Sequence, residues 1–209
     1  MGRVGFTGIV MCLSIACSQG PDINYSGPTD NWTEYGGSPG GGHYSRATQI
    51  TPANVSALEQ AWIFQSPDYR AAGSMMVETR EGKVPSLSSG LQVTPILFEE
   101  TLYMCSPFNR VIALDPATGV QRWSYDPGVA REKELLSHCR GVSSWRAPTP
   151  TGDACSSRII FGTLDGRLIS LDAKTGVPCD GFGKQGSVDL GEGLGDHHPN
   201  EYSVTSPPA

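Results

Sequence analysis

The sequence predicts an all-β protein built from β-propeller blades, and three observations support this prediction. The 26 glycines and 16 prolines make up 42 of the 209 residues, as expected of a turn-rich β protein. A segment of the chain recurs with an offset of 57 residues, from Asp115 to Asp172. Each copy contains two β-rich runs separated by turn residues. A hairpin pair that recurs at such a period is typical of a propeller blade, which needs neighbours to cover its faces.

The two copies of the repeat align without a gap. They are "TLYMCSPFNRVIALDPATG" at 101–119 and "RIIFGTLDGRLISLDAKTG" at 158–176. Asn109 in the first copy and Asp165-Gly166 in the second lie between the β-rich runs, which is hairpin turn chemistry. The second run of each copy, "VIALD" or "LISLD", is apolar almost throughout. This pattern predicts strands covered on both faces.

Each copy closes with the pattern Asp-x-x-Thr-Gly. We expect Asp115 and Asp172 to accept backbone N–H bonds in this turn, which a glycine with positive φ would close. Both aspartates are therefore interpreted as structural rather than catalytic. The chain holds two recognisable blades and part of a third, whereas a closed propeller needs about four to eight. The sequence thus predicts the N-terminal portion of a propeller, inactive by itself.

The N-terminus is predicted to be a signal peptide over residues 1–16. Arg3 precedes a 13-residue apolar stretch, Val4–Ala16, which is too short to span a bilayer because about 20 residues are needed. Small residues at its end fit a cleavage site that leaves Cys17 as the first mature residue. This resembles a bacterial lipoprotein start and predicts lipidation of Cys17, a linker over 17–30 and a periplasmic location. The alternative is a soluble exported protein with an unmodified Cys17.

The charge pattern gives little support to a nucleic-acid-binding surface. The net charge is −6, and lysine and arginine residues are not clustered. In an exported protein, the four cysteines after Cys17 are expected in disulfides, and four thiols permit three pairings. We predict Cys139–Cys155, because both cysteines flank one irregular segment. Metal binding by cysteines is disfavoured because no two lie in a CxxC spacing.

The opening segment, 31–68, carries several spaced motifs. It contains W-x-x-Y-G, a glycine-rich turn, Y-S and Q-I-x-x-x-N-V-x-x-L-x-x-A-W, formed by Trp32, Tyr35, Gly36, Tyr44, Ser45, Gln49, Ile50, Asn54, Val55, Leu58, Ala61 and Trp62. This pattern resembles the opening of the dehydrogenases that depend on pyrroloquinoline quinone (PQQ). Thr51 and Pro52 predict the start of a short helix that leads into a strand.

The resemblance continues to the end of the chain. The first blade ends in a Thr-Gly-x-x-x-Trp turn, whose Trp123 is predicted to pack between blades. "CRGVS" in "SHCRGVSSW" and "TSPP" in "EYSVTSPPA" resemble sequence motifs of the glucose/quinate-type branch of this family. The resemblance implies that 31–209 forms the first two to three blades of an eight-bladed quinoprotein propeller.

The resemblance also implies the chemistry. PQQ near the propeller axis would accept a hydride or its equivalent from a sugar, polyol or cyclic alcohol, with ubiquinone or a periplasmic cytochrome as electron acceptor. A calcium or magnesium ion would polarise the quinone, and an aspartate would act as base. In the family, the metal ligands and this aspartate lie C-terminal to the region covered by this chain.

Two residues match cofactor contacts of the family. Arg140 in "CRGVS" matches an arginine that reaches the quinone oxygens, and Thr205 in "VTSPP" matches a threonine that hydrogen-bonds PQQ. His138 is a candidate for the substrate side, although family members carry their histidine at a somewhat different spacing.

A second interpretation is a cofactor-free lipoprotein propeller that acts as a binding module in outer-membrane protein assembly. Such proteins share the "ALD-x-x-TG-x-x-x-W" blades, so the repeat alone does not separate the two interpretations. The opening motif and "CRGVS" favour the enzyme.

Overall fold

The computed structural model describes residues 32–37, 42–45, 47–149, 152–198 and 201–208. This part of the chain contains ten β-strands and two short 3-10 turns but no α-helix, which confirms the all-β prediction. It also contains no helix with the length and apolar character needed to span a membrane. The predicted signal peptide over 1–16, Cys17 and the linker over 17–30 lie outside the described residues.

The strands form a hairpin followed by two four-stranded antiparallel sheets. In the hairpin, β1 (Met76–Thr79) pairs with β2 (Gly82–Pro85). The first blade has the order β3 (Ile96–Phe98), β4 (Thr101–Cys105), β5 (Val111–Leu114) and β6 (Gln121–Tyr125). The second blade has the order β7 (Ser143–Arg146), β8 (Ser157–Gly162), β9 (Arg167–Asp172) and β10 (Ser187–Asp189). Both blades are therefore simple meanders with the same connectivity.

The core lies between the two blades. All four residues of β5 are buried, and so are the last four residues of β9. These are the runs "VIAL" and "ISLD", so the prediction of strands covered on both faces is confirmed. Side chains from both blades form one cluster, which includes Tyr103 from the first blade and Phe161 from the second. Burying both aromatic side chains in one cluster joins the blades into a single apolar unit.

The closing turns of the repeat have the predicted geometry. One carboxylate oxygen of Asp115 accepts the backbone N–H of Ala117 at 3.1 Å and of Thr118 at 2.9 Å. Asp172 makes the corresponding pair of hydrogen bonds at 3.1 and 2.9 Å. Both aspartates are thus confirmed as structural residues, because their acceptor atoms serve the turn.

A tryptophan from the preceding unit packs on the closing glycine of each blade. The indole N–H of Trp123 donates to the carbonyl of Ala173 at 3.0 Å, and its ring lies against Gly176. The indole N–H of Trp62 donates to the carbonyl of Pro116 at 3.1 Å, and its ring covers the equivalent glycine of the first blade. The prediction that Trp123 packs between blades is confirmed, and Trp62 repeats the same contact one unit earlier.

The short helix predicted to begin near Thr51 is present only as a 3-10 turn, and the strand predicted to follow it is wrong. The structure has only a 3-10 turn, Val55–Ala57, without a buried residue, and no strand follows it before β1. The Asn54 side chain accepts the Thr51 N–H at 2.7 Å and donates to the Gln49 carbonyl at 2.7 Å. These local bonds favour a compact turn, and an exposed segment gains no tertiary packing that would extend it into a helix.

The predicted disulfide Cys139–Cys155 is also wrong. The structure pairs Cys105 with Cys139 and Cys155 with Cys179, with a Cα–Cα distance of 5.9 Å in each pair. The stretch between Cys139 and Cys155 is not irregular throughout, because it contains β7. This strand carries the chain from one end of the second blade to the other and so separates the two cysteines.

Buried charges hold the connection between the blades, which comprises residues 126–142 between β6 and β7. Arg70 is 6% exposed and donates to the carbonyls of Arg131 and Leu135 at 3.0 and 3.1 Å. Glu134 of the same connection is 3% exposed. Burial and, to a smaller extent, the nearby Asp165 carboxylate raise the pKa of Glu134 to about 7, and the Arg70 charge opposes this shift. The connection is therefore fixed by ionisable groups rather than by regular structure.

We expect Gly176→Ala to destabilise the protein more than a glycine replacement with the same backbone strain but open space. Gly176 has φ +74°, and an added Cβ would lie 2.5 Å from the Trp123 ring; Gly193 has φ +85° with nothing within 4 Å. The strained φ alone should cost about 1–2 kcal/mol, and overpacking should add about 1–3 kcal/mol at Gly176. Urea unfolding of both variants measures the difference. Equal losses of stability would contradict the tryptophan packing.

We expect the free energy of unfolding to fall as pH rises from about 4.5 to about 7, because of Glu134. Its pKa is higher in the folded state than in the unfolded state, so folding favours the protonated form and this contribution is lost through that window. The full effect is on the order of 3 kcal/mol. Glu134→Gln should remove this part of the pH dependence and stabilise the protein at pH 8.

Denaturant unfolding at several pH values, compared with wild type, measures the Glu134 effect. Glu132→Gln removes one negative charge from an exposed position of the same connection and serves as the control. If the free energy of unfolding depends on pH in the same way in wild type and in Glu134→Gln, the raised pKa of Glu134 is contradicted.

Candidate cofactor-binding site

The segments that precede β3 and β7, the first strand of each blade, lie side by side, and the segment around Thr205 lies next to them. The backbone N–H of Thr94, two residues before β3, donates to the carbonyl of Arg140 at 3.0 Å. The N–H of Arg140, three residues before β7, in turn donates to the carbonyl of Thr205 at 2.9 Å. Thr94, Arg140 and Thr205 therefore occupy equivalent positions in three successive units. This is the arrangement expected at the hub of a propeller.

The structure brings together the two residues predicted to contact the cofactor. The Arg140 guanidinium donates to the Thr205 hydroxyl across 65 residues of sequence. Arg140 is exposed and Thr205 is half-buried. In the described part of the chain, this hydroxyl is the one recorded hydrogen-bond partner of the guanidinium, so other N–H groups are available for a ligand. A guanidinium with free N–H groups can bind carboxylate or quinone oxygens.

The residues around Arg140 fix its backbone. Cys139 and Val142 are 3% and 1% exposed, and both belong to the core between the blades. A Cβ added at Gly141 would lie 3.3 Å from the Thr94 carbonyl, so the chain passes close to its neighbour here. The side chain of Arg140 therefore projects from a backbone that is packed on both sides.

His138 lies two residues before Arg140 and is half-buried. Burial lowers its pKa, and the positive charge of Arg140 lowers it further. Its imidazole is thus mainly neutral at pH 7, so one ring nitrogen can donate a hydrogen bond and the other can accept one. Among the described residues, no hydrogen bond joins His138 to Arg140 or Thr205, so the structure does not bring it into their pair.

Thr94 is a site residue that the sequence analysis missed. It holds the same place before β3 that Thr205 holds in the third unit, and it bonds directly to Arg140. The available signal was the dipeptide Val-Thr, which occurs at 93–94 and again at 204–205. Both dipeptides lie outside the long repeat at 101–119 and 158–176, so that repeat does not reveal them.

The donor set fits PQQ and does not by itself supply a metal site. PQQ carries three carboxylates and two quinone oxygens, which match the guanidinium and the hydroxyl that meet here. Within the described residues, no group of three or more His, Cys, Asp or Glu side chains could hold a metal ion. The pair Arg140–Thr205 can therefore bind and orient an anionic quinone, while a metal would need ligands from elsewhere.

Comparisons with known proteins agree with this geometry. The family described as PQQ glucose/ethanol/alcohol dehydrogenase, β-propeller domain, matches residues 32–209. The glycerol dehydrogenase large subunit of Gluconobacter oxydans strain 621H is 34% identical over 192 residues, which are 90% of this chain and 24% of that protein. The quinoprotein glucose dehydrogenase of Escherichia coli K12 is 35% identical over 185 residues, which are 85% of this chain and 22% of that protein.

A solved structure is similar as well. The quinohemoprotein alcohol dehydrogenase from Comamonas testosteroni matches 87% of this chain and 22% of that chain, with a TM-score of 0.61 and 26% identity. The chain thus spans about a quarter of the length of the curated relatives it matches. The comparisons give no support to a cofactor-free lipoprotein propeller. With the family matched over residues 32–209, this chain belongs to the PQQ-dependent dehydrogenases and, by its relatives, to their glucose/quinate-type branch.

Proposed function

We propose that this chain supplies PQQ contacts to an enzyme that oxidises the CH–OH group of a sugar, polyol or cyclic alcohol. The observation that carries the proposal is the hydrogen bond between Arg140 and Thr205 at the inner edge of adjacent units. When bound, PQQ supplies the redox chemistry by accepting a hydride or its equivalent. The electron acceptor proposed is ubiquinone or a periplasmic cytochrome.

The roles of the chain's own residues follow from their chemistry. The Arg140 guanidinium would bind the oxygens of the quinone or of a PQQ carboxylate and favour the reduced, more negative form. The Thr205 hydroxyl accepts from Arg140 and would donate its own proton to the cofactor. His138, neutral at pH 7, is proposed on the substrate side, where it would orient a hydroxyl. A calcium or magnesium ion, held by residues outside this chain, would polarise the quinone.

A periplasmic location is part of the proposal. It rests on the apolar stretch after Arg3 and on Cys17 as the predicted first residue of the mature chain. Lipidation of Cys17 would hold the enzyme at a membrane surface, where ubiquinone is available. Two disulfides in the described part of the chain are in keeping with an oxidising compartment.

We expect Arg140→Ala in the complete gene product to weaken PQQ binding by roughly 10- to 100-fold, since hydrogen bonds to charged groups contribute about 1.5–3 kcal/mol. Fluorescence titration with PQQ measures the affinity. Arg146→Ala is the matched control, because Arg146 is an exposed arginine at the far end of β7, paired with Glu99. The PQQ affinity of the Arg146→Ala variant should stay within about twofold of the wild-type affinity. Unchanged binding in Arg140→Ala would remove the cofactor assignment.

We expect the complete gene product to oxidise at least one sugar, polyol or cyclic alcohol once PQQ and Ca²⁺ are added. Turnover is read with a dye acceptor, with omission of PQQ as the first control. The 209-residue chain alone is the second control and should be inactive, because the predicted metal ligands and base lie outside it. Absence of PQQ-dependent turnover with every sugar, polyol and cyclic alcohol tested would favour a binding module.

A further inference from the structure

The Cys105–Cys139 disulfide joins the first blade to the residue directly before Arg140. Cys105 is the last residue of β4, and Cys139 ends the connection between the blades. Both cysteines are buried, at 0% and 3% exposure. The bond therefore ties a core strand of one blade to the backbone that carries the guanidinium of the next.

We propose that this disulfide is a positioning element, which holds Arg140 at the geometry needed for the cofactor. The inference rests on the proposed function, because the ligand of Arg140 is PQQ there. Residues 126–142 between β6 and β7 contain only a 3-10 turn, Arg131–Lys133, so no sheet hydrogen bonding fixes this connection. Side chains hold this connection to the rest of the molecule, because Arg70 bonds to Arg131, Leu135 and Ser137 and Asp68 pairs with Arg131. The disulfide adds a covalent link at Cys139.

The disulfide acts closer to Arg140 than Arg70 does. Arg70 restrains the connection at the carbonyls of residues 131 and 135 and at the Ser137 hydroxyl, three or more positions before Arg140. Between those carbonyls and Arg140, the covalent anchor is at Cys139, one residue away. Without it, the backbone of Arg140 would keep its two hydrogen bonds to Thr94 and Thr205 but lose its link to β4. Ligand binding would then have to order this segment, which lowers affinity.

The second disulfide provides a matched control within the same chain. Cys155 and Cys179 lie beside the closing turn of the second blade, where Asp172 accepts the Cys155 N–H at 2.6 Å. This is the opposite end of the blade from Arg140, because β7 runs between them. The two bonds close segments of similar length, with separations of 34 and 24 residues. Their removal should lower stability to a similar degree.

The test compares PQQ affinity in two double variants of the complete gene product. Cys105→Ala with Cys139→Ala should raise the dissociation constant by about tenfold or more, whereas Cys155→Ala with Cys179→Ala should leave it within about twofold. Thermal unfolding of both variants reports the loss of stability separately. Equal effects of the two pairs on affinity, or no effect of the first pair, would overturn the inference.

A double-mutant cycle with Arg140→Ala tests whether the disulfide acts through this residue. If it does, Arg140→Ala should cost much less affinity in the Cys105→Ala, Cys139→Ala background than in wild type. An undiminished cost would overturn the inference while leaving Arg140 as a PQQ contact. Wild-type protein that does not bind PQQ would instead defeat the proposed function itself.

A second replacement keeps the test decisive if the Cys105→Ala, Cys139→Ala variant does not fold. If the first alanine pair does not fold, Cys105→Val with Cys139→Ala restores part of the lost volume. Failure of both replacements, with normal folding of the Cys155→Ala, Cys179→Ala control, would assign the bond to folding and overturn its positioning role.

Discussion

The packing of a tryptophan ring on the closing glycine of the next unit is the contact on which the blade arrangement depends. Trp62 and Trp123 each combine an indole hydrogen bond with a ring that needs the space a side chain would fill. Glycine is required at this position for two reasons: its φ is positive, and the tryptophan ring occupies the space where a Cβ would lie. This contact sets the spacing between units, so the same Asp-x-x-Thr-Gly turn both ends a blade and receives its neighbour.

The spacing set by the outer contacts determines what meets at the inner edge. Thr94, Arg140 and Thr205 are far apart in sequence, yet their backbones bond in succession. A guanidinium and a hydroxyl are thereby aligned without either belonging to a regular strand. Function in this protein therefore depends on connections that rigid blades place in register, which is the usual location of binding residues on β scaffolds.

The sequence predicted the features that depend on local chemistry. The central strands, the closing turns at Asp115 and Asp172 and the Trp123 contact follow from apolar runs and turn residues, and the structure confirms them. The pairing of Arg140 with Thr205 was anticipated only as two separate matches to a family. The short helix near Thr51 is only a 3-10 turn, because its length depends on tertiary packing. The Cys139–Cys155 pair was wrong, because the path of β7 separates the two cysteines.

Burial of charge was the other property that the sequence did not reveal. Nothing in the local pattern distinguishes buried Asp68 from exposed acids elsewhere, yet its carboxylate binds Arg110 at 3.1 Å and also binds Arg131. Burial would raise the pKa of Asp68, but hydrogen bonds from Ser106 and Arg131 and the nearby arginine charges lower it. Asp68 thus remains ionised and, like Arg70, holds the connection that ends at Arg140. Because an exposed arginine is otherwise free to sample many rotamers, fixing the backbone beneath it lowers the entropy lost when a ligand binds.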